Sequence, residues 1–115
     1  MLAAHYRLRK PHEISRVYKR GVYGGAEGLL SVKAATSGRP EARAVVVVSK
    51  KVDKRAVVRN RIRRRLAASL HEMWATVPAG YDIVVSVHSD ISGLPTPKLR
   101  ELLQQALRRA RVLTA

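Results

Sequence analysis

Apolar and polar residues follow two different rhythms along this chain, and these rhythms predict helices and strands in a fixed order. Steps of three and four residues over 11–20 predict a short helix, with Pro11 at its start and Gly21 just beyond its end. A second helix of this kind is predicted to begin near Pro97. Alternating or continuous apolar runs predict four strands, at 22–23, 29–35, 43–49 and 81–88.

The longest periodic segment lies between the third and fourth predicted strands. Its apolar residues recur at three- and four-residue steps, at Val58, Ile62, Leu66, Leu70 and Met73. We predict a long helix that begins near Asp53, whose side chain is expected to cap it, and ends near Thr76, before Pro78. One stripe of this helix is therefore expected in the core.

The order of these elements predicts an α+β fold, an αβββαβα two-layer sandwich with helices packed on a four-stranded sheet. A chain of 115 residues is expected to form a single domain, 1–115, with one modest core. The continuous apolar run 44–48 predicts a strand buried on both faces, and hence a central place in the sheet. General rules favour a right-handed crossover if the third and fourth strands are parallel.

Charge narrows the choice of partner. Lysine and arginine number 23 against 8 acidic residues, a net charge of +15, which points to nucleic acid or an anionic membrane. Insertion into a membrane is not expected, because the longest apolar run, 44–48, is far too short to span one. The chain has no cysteine, which rules out disulfides and is consistent with the cytoplasm, where we expect the protein to act.

More than half of the net charge lies in residues 50–65, which hold nine basic residues and the single acid Asp53. Projected on a helix, the five arginines between 59 and 65 occupy every face that the apolar stripe leaves free. They would repel one another without an anionic partner, and their spread suits the concave phosphate surface of a folded RNA. The alternative is a solvated helix face with no partner.

Residues for protein-based catalysis are missing from the pattern. The four histidines are scattered, and the eight acids are too dispersed to predict the metal pair of a nuclease. The chain also has no glycine-rich phosphate loop before a helix and no serine elbow. The residues alone therefore predict a protein that binds RNA and does not cut it.

The basic segment carries a resemblance to a known family. Val48-Ser49-Lys50-Lys51, followed by a short linker and a helix with Arg59-Asn60-Arg61, resembles the signature of the bacterial ribonuclease P protein subunit. The first helix, ending in Lys19-Arg20-Gly21, and the last strand and helix also fit, so the resemblance covers nearly the whole chain. It implies a left-handed crossover between the parallel strands. It also implies a ribonucleoprotein endonuclease that removes the 5′ leader of precursor tRNA.

In that family the RNA subunit carries the Mg²⁺-dependent hydrolysis, so the resemblance implies a protein that is inactive alone and binds no cofactor through its own side chains. The implied partners are ribonuclease P RNA and the precursor tRNA leader, with no DNA and no membrane. Carried over residue by residue, the RNA-binding motif and its neighbours are Lys50, Lys51, Arg59, Asn60, Arg61, Arg63, Arg64 and Arg65.

The resemblance also implies a leader-binding cleft between the first helix and the sheet. From the helix we expect Ile14 and Tyr18, of which only Tyr18 offers a ring for stacking. The sheet residues follow from strand alternation, with the competing interpretation that they are simply core. They are Leu30, Val32, Val46 and Val48.

Two other functions remain open on the residues alone. A ribosomal or other structural RNA-binding protein, without a role in cleavage, would share the size and the charge. A helix-turn-helix DNA-binding protein fits less well, because the basic helix follows a strand and is too long for a recognition helix.

Overall fold

The computed structural model describes residues 6–113, which form three helices around a four-stranded sheet. The predicted order of elements is confirmed. In chain order these elements are α1 (Pro11–Arg20), β1 (Val22–Ala26), β2 (Leu30–Thr36), β3 (Arg43–Val48), α2 (Ala56–Met73), β4 (Tyr81–Val87) and α3 (Thr96–Arg109).

The sheet has the strand order β1-β2-β4-β3. Strands β3 and β4 are parallel, as the predicted crossover through α2 requires, and the other neighbours are antiparallel. The left-handed sense of the crossover stays a prediction. The central place predicted for the apolar run 44–48 is wrong, because β3 is an edge strand and β4 is flanked by β2 and β3.

An edge strand can be apolar throughout here because other segments cover it. On one face, Ala44 and Val48 are buried in the main core. On the other face, Val45 and Val47 pack against a smaller cluster that includes Leu8. The backbone N–H of Leu8 also donates to the Ala44 carbonyl at 3.0 Å, along the outer edge of the strand. A continuous apolar run therefore reports burial of both faces and not a position inside the sheet.

Helix α2 packs its predicted stripe on the sheet. Ile62, Leu66, Leu70 and Met73 are buried in the main core beside α3. The expected cap differs, since Arg55 stands at the N-cap position and no side chain caps the helix. Asp53 instead accepts the backbone N–H of Arg55 at 2.8 Å, in the turn before the helix. Beyond Met73 the chain makes one 3₁₀ turn, Trp74–Thr76, which agrees with the predicted end.

Helix α1 lies on the opposite face of the sheet from α2 and α3. Val17 packs there with Leu8, Ala35 and Val84 in the smaller cluster, and Ile14 lies at its margin. The sheet residues of this cluster alternate with those of the main core, as the two faces of a pleated sheet require. The helix-on-sheet sandwich is thus confirmed, with α1 covering part of the second face.

A buried ion network fixes α1 to that face. Asp82 is fully buried, and Arg43 donates to both of its carboxylate oxygens at 2.9 Å. Arg16 of α1 donates to Asp82 at 2.7 Å, and Arg43 reaches back to Glu13 of α1 at 2.8 Å. The Arg43 hydrogen bond lowers the pKa of Glu13, and the bond to Asp82 raises the pKa of Arg43. Two arginines and two carboxylates therefore compensate one another where helix and sheet meet.

Strand β1 approaches α3 so closely that only glycine fits at its centre. A Cβ on Gly24 would lie 2.8 Å from the Arg109 carbonyl carbon, and closer still to backbone atoms of Ala106 and Ala110. This contact lets the edge strand pack directly on the last helix.

None of the helices within residues 6–113 combines the length and the apolar character that a membrane-spanning helix needs.

Candidate RNA interface

The arginines of α2 fall into two groups, and Arg59 shows the first kind. Its guanidinium donates to the backbone carbonyls of Asp53 at 3.0 Å and Lys54 at 2.7 Å. It therefore braces the turn that leads from β3 into α2. Asp53 itself forms an ion pair with Arg55 at 3.0 Å, and this hydrogen bond lowers the Asp53 pKa. The single acid of the basic segment is thus engaged at the helix entrance.

Arg63 and Arg65 are also held by the protein. Arg63 donates to the Val48 carbonyl at 3.4 Å and to the side-chain oxygen of Asn60. Arg65 donates to the Ser92 carbonyl at 2.8 Å, in the loop before α3. Hydrogen bonds to carbonyls leave the positive charges uncompensated, so these side chains still contribute to the field of the helix. Both guanidinium groups are therefore cations held in defined positions on the helix.

Arg61 and Arg64 form the second group. Both are exposed, and neither has a hydrogen bond or ion pair to another residue in the described part of the chain. Lys50 and Lys51 are likewise exposed, in the turn that follows β3. Asn60 is exposed beside them, and its side chain holds Arg63. We call the predicted RNA-binding set the α2 basic surface, namely Lys50, Lys51, Arg59, Asn60, Arg61, Arg63, Arg64 and Arg65.

The structure places the two predicted helix residues of the leader cleft at the junction of α1 and the sheet. Tyr18 is 40% exposed, which leaves part of its ring accessible. Its hydroxyl lies 3.2 Å from that of Ser86 in β4. Ile14 is partly buried against the smaller apolar cluster. Tyr18 therefore has the exposure that stacking requires, and Ile14 supports the helix beneath it.

The four sheet residues predicted for this cleft lie on the wrong face. Leu30 and Val32 are fully buried in the main core, and Val48 is 5% exposed there. Val46 is partly buried against the same core. Strand alternation separates two sets of residues but does not say which set a given helix covers. Here α2 and α3 cover the set that was assigned to α1.

The residues that do face α1 are more polar. Lys33 of β2 is directly opposite Tyr23 of β1 in the sheet register, and its ammonium group donates to the Tyr18 carbonyl at 2.7 Å. Tyr23 is 60% exposed. Ser86 of β4 is paired with Val47 of β3, two residues along from the Val84 that faces Lys33, and both are only partly buried. We call this set, Tyr18, Tyr23, Lys33, Val47 and Ser86, the α1 groove.

Tyr23 and Lys33 were not singled out from the sequence. Both stand in predicted strands, and Lys33 has the opposite parity to Leu30 and Val32, the cleft residues expected from the same strand. Two signals were available, namely an aromatic residue within five positions of Tyr18 and a lysine inside an apolar strand. These signals identify the solvent-exposed face of a sheet only when the main core is already known to lie on the other face.

Neither surface contains a cluster suited to metal binding. Among residues 6–113, no group of three or more His, Cys, Asp or Glu side chains could hold a metal ion. The acids nearest α1, Glu13 and Asp82, are engaged by Arg43 and Arg16. What the site offers is positive charge, hydrogen-bond donors and two accessible aromatic rings.

Comparison with known proteins decides the family. A family model described as Ribonuclease P matches residues 2–111 of this chain. The chain belongs to the ribonuclease P protein family. The ribonuclease P protein component of Roseiflexus sp. (strain RS-1) is 39% identical over 111 residues, which are 96% of this chain and 89% of that protein. The ribonuclease P protein component of Mycobacterium sp. (strain KMS) is 32% identical over 96% of this chain and 94% of its own.

Solved structures of ribonuclease P proteins show the same fold. The Staphylococcus aureus protein superposes with a TM-score of 0.81 at 26% identity, covering 95% of this chain and 98% of that one. The Thermotoga maritima protein gives 0.79 at 26% identity, covering 90% and 96%. As a member of this family, the chain is an RNA-binding part of the endoribonuclease complex that matures the 5′ ends of tRNA.

Proposed function

We propose that this ribonuclease P protein uses its two surfaces for two RNA ligands. The α2 basic surface binds the catalytic RNA, and the α1 groove binds the 5′ leader of precursor tRNA. The observation that carries this proposal is their placement, since α2 and α1 pack on opposite faces of one sheet. A protein built in this way can hold both RNAs at once and bring the leader to the catalytic RNA.

The α2 basic surface suits a structured RNA because some of its cationic side chains are held by the protein and others are not. Arg59, Arg63 and Arg65 are held in place by backbone carbonyls, so little side-chain entropy is lost when phosphates approach them. Arg61 and Arg64 are free to reach phosphates that lie at different distances from the helix. A rigid array with adjustable outer contacts fits the irregular surface of a folded RNA.

The α1 groove suits an extended single strand. Successive bases of a single strand stack on aromatic side chains, and each such contact contributes about 1–3 kcal/mol. Tyr18 and Tyr23 supply two accessible rings, and Lys33, which is paired with Tyr23 in the sheet, donates to the Tyr18 carbonyl. Stacking tolerates any base, which a protein that processes many different leaders requires.

We assign hydrolysis itself to the catalytic RNA. Among residues 6–113 the acids form no cluster that could hold a metal ion, so they do not supply the metal pair of a metal-dependent protein nuclease. The Mg²⁺ of the holoenzyme is thus expected to be bound by RNA phosphates. We place the complex in the cytoplasm, as expected from the sequence.

The test is reconstitution from separated components. Protein freed of RNA by denaturing purification should not cleave precursor tRNA, and cleavage should appear when the cognate RNA and Mg²⁺ are added. The RNA that copurifies with the native protein should be identified by sequencing. Cleavage by the RNA-free protein would refute the assignment of catalysis, and copurification with ribosomal RNA alone would favour a structural RNA-binding role.

A further inference from the structure

A cavity beside the α2 basic surface is not explained by phosphate binding. It has a volume of about 260 Å³ and lies between the N-terminal segment, β3 and α2. Val46, Ala67 and Leu70 are among its apolar walls. Arg9, Arg63 and Arg64 are among the arginines that line it. An apolar recess lined by cations is a different chemical environment from the exposed helix around it.

The floor of this cavity also offers backbone hydrogen-bonding groups. Ala44 directs its carbonyl to the outer edge of β3, where it accepts the N–H of Leu8. Val48 directs its carbonyl to the same edge, where it accepts from Arg63. Because alternate residues of an edge strand point to the same side, Val46 presents its N–H and C=O there as well. One donor and one acceptor thus lie between two occupied positions, at the wall of the cavity.

The charge around the cavity selects an anionic ligand. Among residues 6–113, no carboxylate forms an ion pair with Arg9, Arg63 or Arg64. The volume lies below the roughly 300–1,000 Å³ of sites for drug-sized ligands. A ligand that is flat and largely apolar, with donors and acceptors on its edge and negative charge on both sides, matches all of these features.

We propose that the cavity receives one unstacked nucleobase of the RNA that binds α2, with its flanking phosphates on the arginines. Its faces would pack against Val46 and Ala67, and its edge would meet the backbone groups of Val46. This inference rests on the proposed function of the α2 basic surface. It adds to it a contact with a base, which phosphate binding alone does not require. Unpaired bases in loops and bulges of RNA are the usual targets of such recesses.

Filling the cavity tests the proposal. Ala67→Leu adds bulk at the wall and keeps a good helix former in place. Because the larger side chain would exclude the base from the cavity, we expect binding of the cognate ribonuclease P RNA to weaken about tenfold at fixed salt. The salt dependence should not change, since no phosphate contact is removed. Ala68→Leu is the matched control, because Ala68 is the next residue, is exposed and is not part of the cavity wall. It should bind like the wild type.

Chemical probing should locate the base. Using reagents that together modify all four unpaired bases, wild-type protein should protect a nucleotide that stays reactive with Ala67→Leu. Backbone cleavage by hydroxyl radicals should give the same footprint for both proteins. Thermal denaturation checks that Ala67→Leu is folded, and Ala67→Met gives a second, more flexible filling if it is not.

The outcomes separate this inference from the function beneath it. Unchanged affinity and unchanged base reactivity for a folded Ala67→Leu or Ala67→Met protein would overturn the nucleobase site and leave the α2 basic surface intact. If wild-type protein does not bind the RNA, or if Arg61→Ala with Arg64→Ala has no effect, the proposed function of that surface fails first.

Discussion

The hydroxyl of Tyr18 lies 3.2 Å from the hydroxyl of Ser86, across the junction of α1 and β4. This contact fixes the polar end of the ring while 40% of the residue remains exposed. The Tyr18 carbonyl also accepts a hydrogen bond from Lys33 at 2.7 Å. A ring that is held in this way loses little freedom when a base stacks on it.

Replacing Tyr18 by alanine should weaken binding of precursor tRNA to the reconstituted holoenzyme by about 1–3 kcal/mol, because one stacking contact is lost. The effect should be seen with a long leader and be nearly absent with a leader of one or two nucleotides. Affinity for the catalytic RNA should not change. Equilibrium binding of both RNAs, with substrates that differ only in leader length, measures all three quantities.

Tyr18→Phe is the matched control for that experiment. It keeps the aromatic face and removes only the contact with Ser86, so it should bind long-leader substrate nearly as well as the wild type. If Tyr18→Ala weakens holoenzyme assembly, or if its effect is the same for every leader length, Tyr18 supports the fold and does not stack on the leader.

Replacing Arg61 and Arg64 together by alanine should weaken binding of the catalytic RNA and change its salt dependence. The exposed cations of residues 50–65 suggest about five phosphate contacts, which gives a log-log slope near −4 for the wild type. Loss of two contacts should reduce the magnitude of the slope by about 2. Titrations at several salt concentrations measure it, and saturating protein should largely restore cleavage.

Arg108→Ala is a suitable control for this pair, since Arg108 is exposed near the end of α3. It removes one positive charge without touching α2, so the log-log slope should differ from that of the wild type by no more than about 1. A slope near zero for the wild type would show that the basic segment does not bind phosphates at all.

The sequence predicted the elements well because their signals are local. Pro11 and Gly21 stand at the two ends of α1, and the stripe from Ile62 to Met73 is buried as predicted. The position of β3 could not be predicted in the same way. Its apolar run reflects cover from Leu8 and from α2, and these contacts join residues far apart in the chain.

The sequence predicted the residue types of the candidate site but only part of its geometry. Which face α1 covers depends on how three helices share one sheet, so Leu30 and Val32 were placed in the cleft and Lys33 was not. The division of the α2 arginines into those held by backbone carbonyls and those without a partner among residues 6–113 could not be predicted from the sequence either. Arg65 is held by the carbonyl of Ser92, 27 positions away, and backbone carbonyls leave no signal in side-chain pattern.

Gly24→Ala should destabilise the fold, because the new methyl group would meet backbone atoms of α3 that cannot rotate away. We expect a loss of about 1–3 kcal/mol in the free energy of unfolding, the range for inserting bulk into a packed interior. Urea denaturation measures it. Gly93→Ala is the matched control, since a Cβ there has no atom within 4 Å, and its stability should stay near that of the wild type.

The contact between Glu13 and Arg43 should make part of the stability depend on pH. The Arg43 hydrogen bond lowers the pKa of Glu13 in the folded protein below its ordinary value. A carboxyl with a lowered folded pKa stabilises the protein above its unfolded pKa, near 4.3, and this contribution is lost as pH falls through the folded pKa. Stability from this group should therefore be constant near neutral pH and decline in acid below about pH 5.

Glu13→Gln isolates that contribution, because the amide keeps the shape and an acceptor oxygen but has no charge. The side chain of Glu13 is 18% exposed, so solvent screens the pair in part and we expect a loss of about 1 kcal/mol at pH 7. Urea denaturation of both proteins from pH 7 to pH 3 measures the difference in unfolding free energy, which should shrink as the pH falls. A difference that stays constant over this range would show that Glu13 stabilises α1 by packing and not through its charge.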